Sequence, residues 1–401
     1  MVTINNSGSI YSDLGVYPRS RRLLSKAADL NRGMGAIYML GGALSSLVEV
    51  EIKIGALDSA RVHLQELAAL VPIIDSPVAF WHRASRLGDL ALADCDPKEA
   101  VRQFKSACQI AHQSKDYVEI TSLTSLGKAY LANGNPEAAL KSTIKAMDMH
   151  RTHSFAKPES STSQEIWWRH VQAMLANKQT LEVHESLERA YGFLLEGIAN
   201  IRDEGLRRNY LNKVVVNREL LQYWVKDGTR RKLHRERLYA HLAVETNVRE
   251  PFQRLADTGL RLNALHTIPE IQTFLVEEAT ELIGGERVLL ILEKPRRSND
   301  SSRSSTNEVE TTEFVVTDSL LPRGEDPGKL LRSIESHLAH ARLTRTTSLV
   351  LPKKYGRSRI VAPLIAQNNV LGFLYTDMDT LYGMFTETDR DMLGMLANQA
   401  A

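Results

Sequence analysis

Hydrophobic positions follow two different periods along this chain. Up to about residue 225, apolar residues recur every three to four positions, which is the spacing of amphipathic helices. Near the end, the stretch SRIVAPLIAQNNVLGFLYTDM (358–378) carries two runs rich in β-branched and aromatic residues, separated by a polar Gln-Asn-Asn corner. The pattern therefore predicts a helical first part and a late β-hairpin.

Small residues repeat at a regular distance within the helical part. Ala60, Ala100 and Ala139 lie 40 and 39 residues apart, and Gly55 and Gly134 stand where a tight turn would join two helices. Two antiparallel helices need such a turn, and a small residue at their crossing lets the backbones approach closely. The spacing predicts helical hairpins arranged as a repeat.

One copy of this unit, LGKAYLANGNPEAALKSTIKAM (126–147), resembles the tetratricopeptide repeat (TPR). Pro97 and Pro136 suit the first turn of the second helix in two copies. Because that repeat normally recurs every 34 residues or so, the copies are interpreted as degenerate. The resemblance implies an all-α solenoid over residues 21–225 that binds a protein partner, preceded by a flexible N-terminus at 1–20.

The aromatic and basic clusters in this part can each be interpreted as structural or as functional. Trp167 and Trp168 suit inter-repeat packing better than ligand stacking, since large aromatic residues on amphipathic helices are usually buried. The basic run of Arg230, Arg231 and Lys232 belongs to a near-neutral chain, with 50 Lys+Arg against 48 Asp+Glu. A solvated helical linker over 226–250 is therefore predicted rather than a nucleic-acid site.

From residue 251 the pattern predicts two helices, two strands, a helix, a strand, the hairpin and a final helix. Gly284 and Gly285 mark a helix end, Thr386 marks a helix start, and Pro363 predicts an edge or bulge within its strand. The Ser/Asn/Arg-rich segment 296–310 predicts a disordered loop, because it has no means of burying apolar surface. The last helix, ending at Ala401, is expected to be truncated.

This order of elements resembles the GAF domain, a small-molecule-sensing relative of the PAS domain. The similarity is carried by Gly285-Glu286-Arg287, by VAPL (361–364) and VLGFLY (370–375) around the hairpin, and by Phe385 with Asp389 opening the last helix. It implies an antiparallel sheet with flanking helices over 251–401. The expected fold class is thus an all-α TPR-like solenoid followed by a GAF (PAS-like) α/β domain.

The resemblance also implies a ligand cavity against one face of the sheet. The residues expected to face it are Phe314, Val316, Ile360, Ala362, Phe373 and Tyr375, although core packing explains them better than ligand contact, because alternating apolar residues are first of all a packing signal. Phe385 and Asp389 form the family motif, but Arg390 replaces the Glu of cyclic-nucleotide-binding members. The domain has no cysteine for bilin attachment, and His337 with His340 on one helix suits a surface pair better than a metal or haem site. The cofactor stays unknown.

No catalytic or metal-binding motif is recognised, so we expect this chain not to be an enzyme. The two cysteines, Cys95 and Cys108, form no metal-ligand pattern and favour a reducing cytoplasm. The longest uncharged run, 33–48, is too short for a membrane span.

The whole chain resembles the sensory half of bacterial signalling proteins. The outputs of those proteins are nucleotide cyclases, diguanylate cyclases or histidine kinases. The predicted function is a regulatory input module with a ligand-sensing GAF domain, dimerising through its terminal helix. The alternatives are a scaffold that senses nothing, or a fragment of a cyclase or kinase.

Overall fold

The computed structural model describes residues 2–114, 117–158, 160–179, 182–243, 249–295, 312–353 and 356–401. Contacts divide the chain into two compact units. The repeat unit comprises Met1–Asn200 and Val214–Ala240, and the sheet unit comprises Ile201–Lys213 and His241–Ala401. The chain therefore leaves the repeat unit for 13 residues, re-enters it, and then completes the sheet unit.

Helices dominate the described residues. They are α1 (Val2–Asp13), α2 (Tyr17–Gly33), α3 (Ile37–Ile54), α4 (Leu57–Ile74), α5 (Pro77–Ala93), α6 (Pro97–Ser114), α7 (Val118–Ala132), α8 (Pro136–Thr152), α9 (Ser163–Ala176), α10 (Val183–Ala199), α11 (Glu204–Asn212), α12 (Val215–Arg230), α13 (Arg235–Leu238), α14 (Arg249–Leu262), α15 (Ile268–Ile283), α16 (Pro327–Thr344) and α17 (Glu387–Ala400). The strands are β1 (Arg287–Pro295), β2 (Thr312–Leu320), β3 (Ser348–Val350), β4 (Arg357–Ala366) and β5 (Asn369–Asp379).

Among the described residues of the repeat unit, α1 to α10 form five helical hairpins, α1/α2 to α9/α10, each closed by the same turn. One residue per turn has a positive φ of 60–83°: Gly15, Gly55, Cys95, Gly134 and Lys178. In each turn the residue that follows donates its backbone N–H to a carbonyl five residues back, as Ala56 does to Glu51 at 2.8 Å. This left-handed helix ending satisfies carbonyls that would otherwise lack a partner. The turns recur at nearly constant distance, which confirms the predicted repeat.

Glycines allow the two helices of a hairpin to touch. A Cβ placed on Gly88 would lie 2.7 Å from the Phe104 ring, and one on Gly127 would lie 2.6 Å from the Thr143 methyl group. Ala60, Ala100 and Ala139 are fully buried at the equivalent point of the second helices. The small residues of the pattern therefore mark helix crossings, as expected.

Residues 2–20, where the sequence predicted a flexible N-terminus, form a helix, a turn and the start of a second helix. These helices are α1 and α2, and a Cβ on Gly8 would lie 2.7 Å from Leu24. This contact has the same place in its hairpin as Gly88 with Phe104. The copy was missed because Ser20 replaces the alanine that marks the other crossings.

The sheet unit has five antiparallel strands in the order β2-β1-β5-β4-β3. The order of helices and strands along the chain is the one predicted from residue 251 onwards. β4 and β5 form the predicted hairpin, with Gln367 and Asn368 in the corner at positive φ. Pro363 lies on β4 beyond the residues that pair with the short edge strand β3, and a bulge follows at Leu364/Ile365, as its sequence position predicted.

Helices cover both faces of the sheet. α16 packs on the face formed by Leu289, Ile291, Val361, Phe373 and Tyr375. α15 and α17 pack on the opposite face, where Thr273 donates to Asp318 and the Phe385 N–H donates to Ser358. The core of this unit is thus two apolar layers separated by one sheet.

Two further predictions need revision. The sequence assigned residues 21–225 to the repeats, but α11 belongs to the sheet unit. In the predicted linker 226–250, α12 continues to Arg230 and α13 follows. The predicted disordered loop 296–310 lies outside the described residues.

Candidate functional site

Four of the six predicted cavity residues meet on the face under α16. Phe373 and Tyr375 are fully buried, and the Phe314 and Phe373 rings contact edge to face with centroids 5.7 Å apart. Val316 is partly buried beside them. These four residues form one apolar cluster.

Ile360 and Ala362 lie on the opposite face of the sheet and do not join this cluster. Ile360 pairs with Thr376 and Ala362 with Leu374, whereas Val361 pairs with Tyr375. Residues paired directly across two strands lie on the same face of the sheet, and successive residues of one strand lie on alternate faces. Val361 therefore belongs to the cluster under α16, and its neighbours Ile360 and Ala362 do not. The residues missed on this face are Leu289, Ile291 and Val361. The register of strand pairing decides which strand residues face α16, and the sequence alone does not show that register.

The space against this face is occupied by side chains of α16. Leu330, Ile334, Leu338 and Ala341 are buried against the cluster. Their spacing of three to four residues places them on one side of the helix. The arrangement is a packed hydrophobic layer.

A charged network closes one end of the sheet. Asp377, fully buried on β5, accepts hydrogen bonds from Arg357 at 2.7 Å, from Arg287, and from the Tyr375 hydroxyl at 2.5 Å. Burial alone would raise the pKa of Asp377, but the two guanidinium groups outweigh it and hold that pKa below its usual value. Burial and the neighbouring Asp377 carboxylate raise the pKa of Tyr375, so this phenol stays protonated. The Asp377 carboxylate is paired and hydrogen-bonded on several sides, so we interpret this network as a structural one that stabilises the sheet.

The two motif residues of the last helix hold that helix in place. Phe385 is buried, and Asp389 completes a capping box with Thr386 at the start of α17. Asp389 also accepts two hydrogen bonds from Arg208 of α11, at 2.9 and 3.0 Å. The Arg208 guanidinium lies 5.4 Å from the centre of the Phe385 ring. The predicted pair is therefore organised by a residue 181 positions earlier in the chain.

Helix α11 also donates hydrogen bonds to the C-terminal end of α15. The last carbonyls of a helix have no partner within it. Here Arg208 donates to Ile283 at 3.0 Å, Asn209 to Thr280 at 2.8 Å and Asn212 to Gly284 at 2.9 Å. A positive charge at this end is also favoured by the helix dipole. Sequence reasoning missed this role because residues 204–212 read as part of an amphipathic helix of the repeats.

In the repeat unit, the first helices of successive hairpins carry a strip of interlocked charges, which we call the inner strip. Arg86 of α5 pairs with Glu49 of α3 at 2.9 Å and with Asp89 at 2.8 Å. Lys53 pairs with Glu49 at 2.7 Å. Although burial would raise it, the pKa of Glu49 falls to about 2, because Arg86 and Lys53 favour the carboxylate.

The inner strip continues along α7 and α9. Lys128 is exposed, yet surrounding protein and the nearby Arg169 lower its pKa. Arg169 in turn pairs with Glu219 of α12 at 3.3 Å.

A small apolar recess lies beside the inner strip. It has a volume of about 50 Å³ and is lined by Tyr38, Gly41, Gly42, Leu67, Ile74, Val78, Ala79 and His82. Tyr38 is 64% exposed, and a Cβ on Gly42 would meet nothing within 4 Å. His82 is neutral, since burial and then Arg86 lower its pKa to about 4. The recess and the strip make this face of α3 and α5 a candidate protein-docking surface.

The aromatic and basic clusters of the repeat unit are structural. Trp167 and Trp168 are both buried, and each indole N–H is bonded, to His150 at 3.1 Å and to Glu219 at 3.0 Å. In the basic run, Arg231 pairs with Asp227 at 2.8 Å, and Arg230 also pairs with Asp227. These charges are therefore largely compensated.

The histidine pair, the helix lengths and the terminal helix bear on the remaining predictions. His337 is half-buried and His340 exposed on α16, and the described residues contain no group of three or more His, Cys, Asp or Glu placed to hold a metal. Within the described part of the chain, no helix is both long and apolar enough to cross a membrane. Of the apolar stripe predicted for dimerisation, Met392 and Leu396 are already buried, and Met395 is exposed.

Comparison with known proteins gives structural neighbours alone. No family model matches this chain, and no curated protein matches it. Two structures of nearly identical TPR-like repeats from a protein of Podosopora anserina described as a kinesin light chain are each 16% identical, covering 49% of this chain and 94% and 95% of theirs, with TM-scores of 0.37 and 0.36. A Signal Transduction ATPase with Numerous Domains protein with a tetratricopeptide repeat sensor, from Pyrococcus horikoshii, is 14% identical over 60% of this chain and 37% of its own, with a TM-score of 0.40. Because these scores are low, the helical-repeat assignment rests on the turns and glycine contacts of this chain.

Proposed function

We propose that this chain is a non-catalytic regulatory protein whose helical repeats bind a protein partner. The observation that carries this proposal is the docking surface of the repeat unit, where the inner strip borders the recess at Tyr38 and Gly42. Charged groups there are held in place by neighbours on other helices, so a partner segment meets a preformed pattern of charge. Such preorganisation lowers the entropic cost of binding.

A substitution at Gly42 tests the docking surface without disturbing the fold. Gly42 lies within a helix and has open space around it, so Gly42→Arg would fill the recess. Gly192→Arg is the matched control, since Gly192 is also helical with nothing within 4 Å of a Cβ. We expect the unchanged chain and Gly192→Arg to retain the same partner from a lysate of the native host, and Gly42→Arg to lose it. Equal retention by all three would refute docking at this surface.

We propose that the sheet unit is a GAF-type regulatory module in a bacterial signalling context, as the sequence resemblance implies. The strand and helix order supports the resemblance. The packed layer between α16 and the sheet favours the interaction-scaffold alternative, because a filled interior leaves no room for a signal molecule. A cyclase or kinase output belongs to the same proposal and would lie outside this chain.

Ligand sensing is the second candidate, and one observation favours it. Phe314 and Val316 on the edge strand β2 are only partly buried, so the layer under α16 opens toward solvent at that edge. Native mass spectrometry of the full chain, compared with its denatured mass, decides between the two. A retained small molecule would support sensing, and a ligand-free mass that cyclic nucleotides leave thermally unshifted would support the scaffold.

A further inference from the structure

Helix α11 is separated in sequence from the unit it completes. It follows α10 and precedes α12, which both belong to the repeat unit, yet its own contacts lie within the sheet unit. Only Lys213 and Val214 stand between α11 and α12. A residue spans at most about 3.6 Å, so this connection has little slack.

Inside the sheet unit, α11 is fastened at three places. At its start, the N-cap residue Asp203 accepts from the backbone N–H of Leu206 at 2.9 Å and from Arg254 of α14 at 2.6 Å. In its first turn, a Cβ on Gly205 would overlap the Leu282 carbonyl oxygen, so the two backbones touch. At its end, Lys213 donates to the Glu286 carbonyl at 2.7 Å.

Arg208 makes α11 a support for α17 as well. Its guanidinium is fully buried and reaches Asp389 inside the first turn of α17 and the Met384 carbonyl just before that turn. Burial would lower the pKa of Arg208, but Asp389 and Glu204 outweigh it, so the group stays charged. The start of α17 therefore depends on a residue whose helix is covalently continuous with the repeats.

We infer that α11 is a relay that couples the conformation of α10 and α12 to the anchoring of the C-terminal helix α17. With α11 docked, Arg208 holds the first turn of α17; with α11 displaced, Asp389 loses its charge partner and that turn is free to fray. A short connection transmits displacement in both directions, and linkage requires that the coupling be reciprocal. This coupling goes beyond the proposed docking function and does not depend on it.

Amide hydrogen exchange of the full chain tests the relay. Asp389→Asn keeps a capping side chain at α17 but removes the charge that Arg208 meets, and Asp391→Asn on the same helix is the matched control, since Asp391 is exposed and pairs with the half-buried Arg390 of its own helix. We expect Asp389→Asn to speed exchange about tenfold in α11 and also in α10 and α12, a change equal to about 1.4 kcal/mol. Asp391→Asn should leave all three helices unchanged.

A second variant keeps the experiment interpretable if Asp389→Asn does not fold correctly. Arg208→Lys retains the charge but loses the forked contact with Asp389, and it should produce the same pattern to a smaller degree. Faster exchange confined to α11 and α17 would overturn the relay and leave α11 as an ordinary part of the sheet unit. Unchanged exchange in α11 would overturn it too.

Discussion

The contacts within the repeat unit and the contacts within the sheet unit join residues that are separated by different distances along the chain. In the repeat unit, many side-chain contacts join residues about one repeat apart, such as Trp81 with Ser122 (41 residues) and Thr121 with Ser161 (40 residues). In the sheet unit, Arg208 meets Asp389 across 181 residues and Arg287 meets Asp377 across 90. A repeat array is stabilised by nearest neighbours, so damage there stays local. In the sheet unit, one residue can control distant elements.

The largest effect is expected from removing Arg208. Arg208→Met would leave Asp389 buried without its charge partner, and breaking such a pair costs about 3–5 kcal/mol. Hydrogen exchange should then rise throughout β1, β5 and α17, while α3 to α8 keep their protection. Arg390→Met, which removes an exposed pair on α17, is the control. Loss of protection limited to α11 would break the contrast drawn between the units.

Acidification should also weaken the sheet unit. His241 is fully buried with its ring Nε2 bonded to the Leu381 carbonyl at 2.9 Å, and burial followed by Arg207 lowers its pKa to about 4. The unfolded chain, with a His pKa near 6.5, then binds more protons between these values. Stability contributed by neutral His241 is therefore complete above about pH 6.5 and is lost as pH falls toward 4, by about 3 kcal/mol.

Urea denaturation at pH 7 and pH 5 measures this dependence. His241→Gln cannot titrate, so its stability should vary less between the two pH values. An unchanged difference would show that other groups, such as His82 and His170, whose pKa values are also about 4, carry the effect.

A smaller and local effect is expected at a helix crossing of the repeats. Gly88→Ala would press a methyl group against the Phe104 ring, and such overpacking costs about 1–3 kcal/mol. Exchange should increase in α5 and α6 but not in the sheet unit. Increased exchange in β1 or β5 would contradict local stabilisation.

The smallest effect should have the opposite sign. Gly42→Ala and Gly192→Ala add a methyl group in open space within helices, so each should stabilise the chain by about 0.5–1 kcal/mol. Thermal unfolding measures the gain. A loss at Gly42 alone would show that the recess closes in solution.

Much of the architecture could be predicted because its signals are local. The turn at Gly55, the helix end at Gly284 and the capping box at Thr386 each depend on a few neighbouring residues. The residues predicted to face a cavity lie on both faces of the sheet, with Ile360 and Ala362 on the other side, because the face of a strand residue depends on register. The role of Arg208 was not predictable, because its partner lies 181 residues away.

By itself, the amino-acid sequence determined the helical hairpins, their 40-residue spacing and the order of strands and helices near the C-terminus. These features follow from hydrophobic period and from turn and cap chemistry, which act over a few residues. Tertiary structure alone decided that residues 201–213 complete the sheet unit and that Val361, not its neighbours, faces α16. The physical reason is that both depend on which distant surfaces can bury apolar area and pair polar groups together.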